Sequence, residues 1–366
     1  MARFSRLAAL LTVILLVPCC ARGADEPGPA SLGLVAHVQA EAHDSAMVEA
    51  GPGHRIAFVS DRDGALAVYS MDPDGGDQRQ LTAALEEAHG VAVSPDGSRI
   101  AFTARHGGEG GTDYEVLVMN ADGTGGRNLT TSGNAWEMAP CWSPDGESIA
   151  FMSASKANAG IVAVGFDGTD LRQLSDGLRW DMQPLWSPDG SRIAFASLSG
   201  RRSEIWVVQA DGSDLRRLTD LGARSEWPRW SPDGKQIAFV SDWDMVTAIY
   251  TMYADGSGLR KLTESRSVDT EPCWSPDGTR IAFSSDRDGG FAIYVADAHL
   301  GREWRLTDEA LGWQMQPSWS PDGAEIAFAA GLDGEWDVYV VGADGSGLRR
   351  LTSAPGYDLR PLWMGR

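Results

Sequence analysis

Residues 228–239 read Pro-Arg-Trp-Ser-Pro-Asp-Gly-Lys-Gln-Ile-Ala-Phe. The centre, Ser231-Pro232-Asp233-Gly234, carries the chemistry of a β-turn. The serine hydroxyl bonds locally, proline presets φ, and glycine tolerates φ > 0. Short apolar stretches flank it, ending in Trp230 on one side and carrying Ile237 and Phe239 on the other. That pattern predicts a tight hairpin.

The same tetrapeptide begins at Ser94, Ser143, Ser187, Ser231, Ser275 and Ser320. Ile-Ala-Phe begins at Ile56, Ile100, Ile149, Ile193, Ile237, Ile281 and Ile326. Leu-Thr, or Leu-Ser once, begins at Leu81, Leu129, Leu174, Leu218, Leu262, Leu306 and Leu351. Three marks keep one period of about 44 residues, which is the period of propeller blades. Each unit reads as four short strands, and no stretch of helical length and period interrupts them. The expected fold is all-β: a seven-bladed β-propeller of four-stranded antiparallel blades. Neighbouring blades then bury one another's Phe, Ile and Trp. Trp142, Trp186, Trp230, Trp274, Trp319 and Trp363 share one phase of the first strand and are expected in the core.

The first unit, Arg55–Thr82, supplies strands two to four. Pro361-Leu362-Trp363 repeats the first-strand pattern at the other end. The C-terminal strand is therefore expected to complete the N-terminal blade, which removes two unpaired sheet edges. Ala46–Ala50 is the competing source of that strand. Cys141 and Cys273 fall at one phase three blades apart, too far for a disulfide, and are expected as two buried thiols.

Residues 1–24 are expected to be a signal peptide: Arg3 and Arg6 precede an apolar run, Leu7–Val17, that is too short to span a membrane. Residues 25–53 read as a linker and 54–366 as the propeller. Two cleavages compete. Leu16-Val17-Pro18-Cys19 resembles a lipobox, giving a lipid at Cys19 or Cys20; Ala21-Arg22-Gly23 suits a soluble product. The expected location is periplasmic or extracellular. The chain has 366 residues and 51 Asp+Glu against 31 Lys+Arg, a net charge of −20. That balance argues against a nucleic-acid binder, which needs a basic footprint.

Residues leading into the first strands form a second pattern. Trp136, Trp180, Trp313 and Tyr357 recur at one phase, followed by Glu137, Asp181, Asp269, Gln314 and Asp358 at the next. Glu226, Trp227 and Glu271 lie close by. One reading is a binding mouth, with aromatic anchors and carboxylates for a cationic protein loop, peptide or glycan. The other is that the rings brace loops and the acids are solvated or bond nearby amides. Asp61-Arg62-Asp63-Gly64 and Asp286-Arg287-Asp288-Gly289 resemble fragments of a calcium loop but read better as hairpin turns.

The phrase Pro-x-Trp-Ser-Pro-Asp-Gly-x-x-Ile-Ala-Phe, followed by Asp-Gly and Leu-Arg-x-Leu-Thr, resembles the WD40-like repeats of the TolB β-propeller family over residues 55–366. The resemblance implies an envelope protein that binds a protein partner, a peptidoglycan-associated lipoprotein in the family's best-known role. That role comes with an additional α/β domain and six blades; here about thirty residues precede the first blade and seven units are counted. Similar propellers precede the hydrolase domain of dipeptidyl and oligopeptidases, and no such domain is expected after the closing strand. Gly-x-Ser-x-Gly, His-Glu-x-x-His and Cys/His metal spacings are absent from the sequence. The expectation is a monomeric, non-enzymatic binding module without catalytic residues, metal or cofactor. The alternative is a propeller lyase or hydrolase, metal-dependent, with Glu137, Asp181, Asp269 and Asp358 clustered at the channel.

Overall fold

The computed structural model describes residues 54–82, 86–105, 113–131, 135–155, 159–264, 266–332 and 334–365. The expected signal peptide, the linker and Ala46–Ala50 lie outside them. Among the described residues the chain is built of strands, with one short 3₁₀ turn at Glu309–Leu311. The strands pair into antiparallel sets of four. One set is Ser225–Trp230, Gln236–Ser241, Ala248–Tyr253 and Arg260–Lys261, hydrogen-bonded in chain order. The first strands of the other sets are Glu86–Val93, Trp136–Trp142, Trp180–Trp186, Asp269–Trp274, Trp313–Trp319 and Asp358–Met364. The last of these pairs with Arg55–Ser60, so C-terminal residues complete the N-terminal set. The all-β propeller with a closing C-terminal strand is the fold read from the repeat.

Each repeated mark has a bonding role. In the Ser231 turn, Ser231 Oγ donates to Asp233 Oδ1 at 2.7 Å. The same carboxylate oxygen accepts the Lys235 N–H at 3.1 Å, and Ser231 Oγ accepts the Gln236 N–H at 2.9 Å. Gly234 adopts φ 68°, and a Cβ there would lie 3.6 Å from Pro188 Cδ of the preceding turn. The turns thus stack from one set to the next. The Leu-Thr mark works differently. The hydroxyl of Thr82, Thr130, Ser175, Thr219, Thr263, Thr307 or Thr352 accepts a backbone N–H from its own third strand, at 2.9–3.1 Å. Thr263 is fully buried. Thr263→Val is expected to cost about 1–3 kcal/mol, because the Ile249 N–H loses its acceptor. Thr263→Ser should be nearly neutral, since Ser175 already fills that phase. Urea denaturation of the two variants checks this.

The core is a succession of inter-set layers. Phe58, Phe102, Phe151, Phe195, Phe239, Phe283 and Phe328 are all essentially inaccessible to solvent. The six repeated Trp are buried too, and five of them also bond across to the neighbouring first strand. The Nε1 groups of Trp142, Trp230, Trp274, Trp319 and Trp363 donate to the carbonyls of Ala92, Leu185, Arg229, Cys273 and Ser318 at 3.1–3.2 Å. Trp186 Nε1 is buried without such a partner. Cys141 is buried and its sulfur accepts the Trp186 N–H at 3.4 Å. Cys273 is only half-buried, against expectation, because it packs at the margin of the cluster around Trp319. No disulfide joins the two.

Candidate functional site

Antiparallel pairing puts the start of each first strand, the end of the second and the start of the third at one end of a set. The lead-in residues therefore gather at that end, here called the mouth. Four of them tie neighbouring sets together by parallel bridges: Trp136 with Tyr114, Trp180 with Ala159, Arg224 with Ser203, and Tyr357 with Trp336.

Most of the acids are taken up by the protein itself. Asp358 is 1% exposed and pairs with Arg62 Nη2 at 2.7 Å. Arg62 lies over the rings of Phe58 and Tyr69, 5.1 and 5.0 Å from their centroids. Asp269 repeats the arrangement with Arg287 at 3.0 Å, and Arg287 lies over Phe283 and Tyr294. The two Asp-Arg-Asp-Gly segments that supply these arginines are hairpin turns, closed by Gly64 N–H to Asp61 O and Gly289 N–H to Asp286 O. Asp63 and Asp288 accept the hydroxyls of Tyr69 and Tyr294, which helps push the Tyr294 phenol up to about 12 after the larger effect of burial. Asp181 is buried and accepts Ser197 Oγ–H at 2.5 Å; burial pushes its carboxyl up. Glu226 pairs with Arg224 at 3.2 Å and accepts Ser203 Oγ–H. Glu137 is buried, as is Gln314, whose amide donates to Asp308 O. Among the described residues no three His, Cys, Asp or Glu side chains converge as metal ligands, so the four acids of the alternative reading do not assemble into one.

The aromatic residues divide. Tyr357 is buried and its N–H donates to Asp61 Oδ1 at 2.7 Å. Trp136 and Trp180 are half-buried over a small cluster of Met152, Ala154 and Ala159. Trp313 is 54% exposed, edge-on to Phe291 at 5.9 Å. Leu178, Trp243 and Met245, in connections, and Leu332, the last residue of the second strand Glu325–Leu332, are exposed at the same end of their sets.

Trp227 and Glu271 belong to a different feature, deeper along the first strands. Ala139, Gln183, Trp227, Glu271, Gln316 and Arg360 all have φ between 56° and 64°, and each precedes a proline. Gly90 takes the same conformation in the set that lacks the proline. Each first strand shifts register there, a β-bulge. The side chain at one bulge accepts the N–H of the next: Trp227 N–H to Gln183 Oε1 at 2.8 Å, Gln316 N–H to Glu271 Oε2 at 2.7 Å, and Arg360 N–H to Gln316 Oε1 at 2.8 Å. Burial pushes Glu271 up to about 7, with Arg360 and Arg229 acting in the opposite direction. Burial pushes His89 down to about 3, and Arg360 adds to the effect. Reading the sequence did not find this ring. The signal was present, because proline inside a strand that needs ladder bonds marks a bulge.

Comparison with known proteins agrees with this architecture. Residues 98–256 and 164–311 match the TolB beta propeller domain. A TolB homolog of Chlorobium luteolum is 35% identical, with the match covering 29% of this chain and 33% of that protein. The chain thus spans about a third of the length of the curated relatives it matches. The crystal structure of TolB from Acinetobacter baumannii superposes with a TM-score of 0.58 at 20% identity, covering 82% of this chain and 79% of that one. An oligogalacturonate lyase in complex with manganese superposes with a TM-score of 0.65 at 17% identity, covering 78% and 85%. At such identities the superpositions speak for the fold alone. The match over residues 98–311 takes in more than half the sequence, and the chain belongs to the TolB β-propeller family.

Proposed function

We propose that this chain is an exported, seven-bladed binding module of the cell envelope, periplasmic or lipid-anchored at Cys19 or Cys20, that docks a protein partner on its mouth. The observation that carries the reading is the group of large apolar side chains exposed there: Leu178, Trp243, Met245, Trp313 and Leu332. Large exposed apolar groups mark interaction surfaces. Leu171, Tyr253, Leu300, Trp304 and Leu348 are exposed away from the mouth, at the third-strand to fourth-strand side of their sets, but the two most exposed, Met245 and Leu178, are at the mouth. Met245, 92% exposed, and the two leucines favour a protein over a glycan, because sugars stack on flat aromatic faces. The partner has apolar anchors of its own, and the net charge of −20 favours one that is cationic. Trp136 and Trp180 flank the surface, and the inward-turned acids Glu137, Asp181, Asp269 and Asp358 hold its loops in place.

A photo-crosslinking amino acid at position 313 in living cells tests this, with position 253 at the far end of a set as the control. A protein adduct specific to 313 is expected. Trp243→Ala with Trp313→Ala should then weaken binding of the captured partner by at least about 30-fold, since two aromatic anchors are lost, with an unchanged melting curve. A cell in which 313 and 253 give the same products overturns the reading.

A further inference from the structure

We propose that Arg201 and Arg202, at the mouth, hold an acidic side chain of the docked protein, and that the apolar residue beside that acid seats on Trp243 and Met245. The inference rests on the docking reading above and names the partner's chemistry at this place. Strands Arg192–Ser199 and Arg202–Gln209 pair as far as Ser199 with Arg202. Gly200-Arg201 is therefore a two-residue turn, opened by Gly200 at φ 67°. Both arginines are exposed, and among the described residues neither has a carboxylate partner. By contrast Arg62, Arg179, Arg224 and Arg287, at the same end of their sets, pair with Asp358, Asp176, Glu226 and Asp269 at 2.7–3.6 Å.

The acids of the neighbouring segments are committed elsewhere. Glu204 accepts Thr219 Oγ1–H and the N–H groups of Leu221 and Gly222. Asp220 pairs with Arg217, Asp242 accepts the Arg224 N–H, and Asp244 pairs with Lys261. Backbone contacts join this hairpin to the Trp243 turn across two sets. Ser203 N–H donates to Ala223 O at 3.2 Å, Arg224 N–H to Asp242 Oδ1 at 2.8 Å, and Asp242 N–H to Arg224 O at 3.2 Å. Arg202 lies along this join: a Cβ on Gly222 would stand 3.5 Å from its Nη1. Met245 has φ 72°, where the two sister turns place Gly64 and Gly289. A methionine carried at a strained glycine position and left bare is placed for contact rather than for folding. The net charge of −20 acts at long range on the partner as a whole. At contact distance the local groups decide, and guanidinium forks take carboxylates in paired, charge-assisted hydrogen bonds. The partner is thus cationic overall and presents one acid beside an apolar residue to this part of the mouth.

Two peptides with blocked ends test this on the full chain: Lys-Lys-Trp-Leu-Glu-Leu-Lys-Lys and its counterpart with Gln in place of Glu. In calorimetric titration at low ionic strength the Glu peptide should bind about tenfold more tightly, the worth of one charge-assisted pair. Arg201→Gln with Arg202→Gln should erase that preference and leave the Gln-peptide affinity and the melting curve unchanged, because both side chains are exposed. Trp243→Ala should weaken both peptides alike and keep their ratio. Equal binding of the two peptides to the unaltered chain, binding of neither, or a preference that survives the double arginine change overturns the proposal. Capture of a protein from position 313 that is equal with and without the arginine changes overturns this assignment alone and leaves the docking reading standing.

Discussion

Replacing Trp319 with alanine is expected to destabilise the protein by about 3–5 kcal/mol, the usual range for emptying a large aromatic site in a core. Trp319 is fully buried, sits among Ile293, Ile326 and Phe328, and donates Nε1–H to Cys273 O at 3.1 Å. The change opens a cavity between two sets and leaves a carbonyl without its donor. Phenylalanine substitutions separate the two losses. Trp319→Phe keeps most of the volume and should cost about 1–3 kcal/mol for the orphaned carbonyl. Trp186 has the same phase but no Nε1 partner, so Trp186→Phe should cost less than Trp319→Phe. Urea titrations of the three variants check this ordering. Equal costs for the two phenylalanine variants would show that the indole hydrogen bond contributes nothing.

Deleting residues 356–366 is expected to have the largest effect of all: loss of the folded monomer. The deleted stretch contains the strand paired with Arg55–Ser60 and the buried side chains Leu362, Trp363 and Met364. It also removes Asp358, the partner of Arg62, leaving a guanidinium 14% exposed without its carboxylate. Two strand edges open together, and such edges recruit other chains. Size-exclusion chromatography with light scattering should show aggregates or oligomers, and the near-ultraviolet dichroism should collapse. A truncated protein that stays monomeric and native would mean that Ala46–Ala50 can replace the missing strand.

The parts of the fold that were readable are those repeated in every unit. Phe239 and Trp230 announce themselves because each recurs at a fixed phase, and burial between stacked sheets demands the same side chain each time. The Leu-Thr mark was equally visible, but its purpose was not: only the structure shows Thr263 Oγ1 holding the Ile249 N–H. The mouth acids were found by position, but their partners were not legible. Asp358 is answered by Arg62, 296 residues away in sequence, and Asp269 by Arg287, from loops outside the repeated pattern. The bulge residues escaped because Ala139, Gln183, Trp227, Glu271, Gln316 and Arg360 share a backbone conformation rather than a side-chain type. A search for repeated letters passes over them, whereas a search for the residue before each first-strand proline would have stopped at every one.

Pairing between residues 55–60 and 358–364 also sets a timetable. Every other strand can find its partners within its own unit soon after that unit is made. Arg55–Ser60 cannot acquire its inner neighbour until residues 358–364 are available, and loop closure over such a separation is slow. During synthesis the first set waits with one edge bare while later sets mature. The interval between completing the last units and closing the ring is the period of greatest exposure to proteases and to misassembly with a second copy.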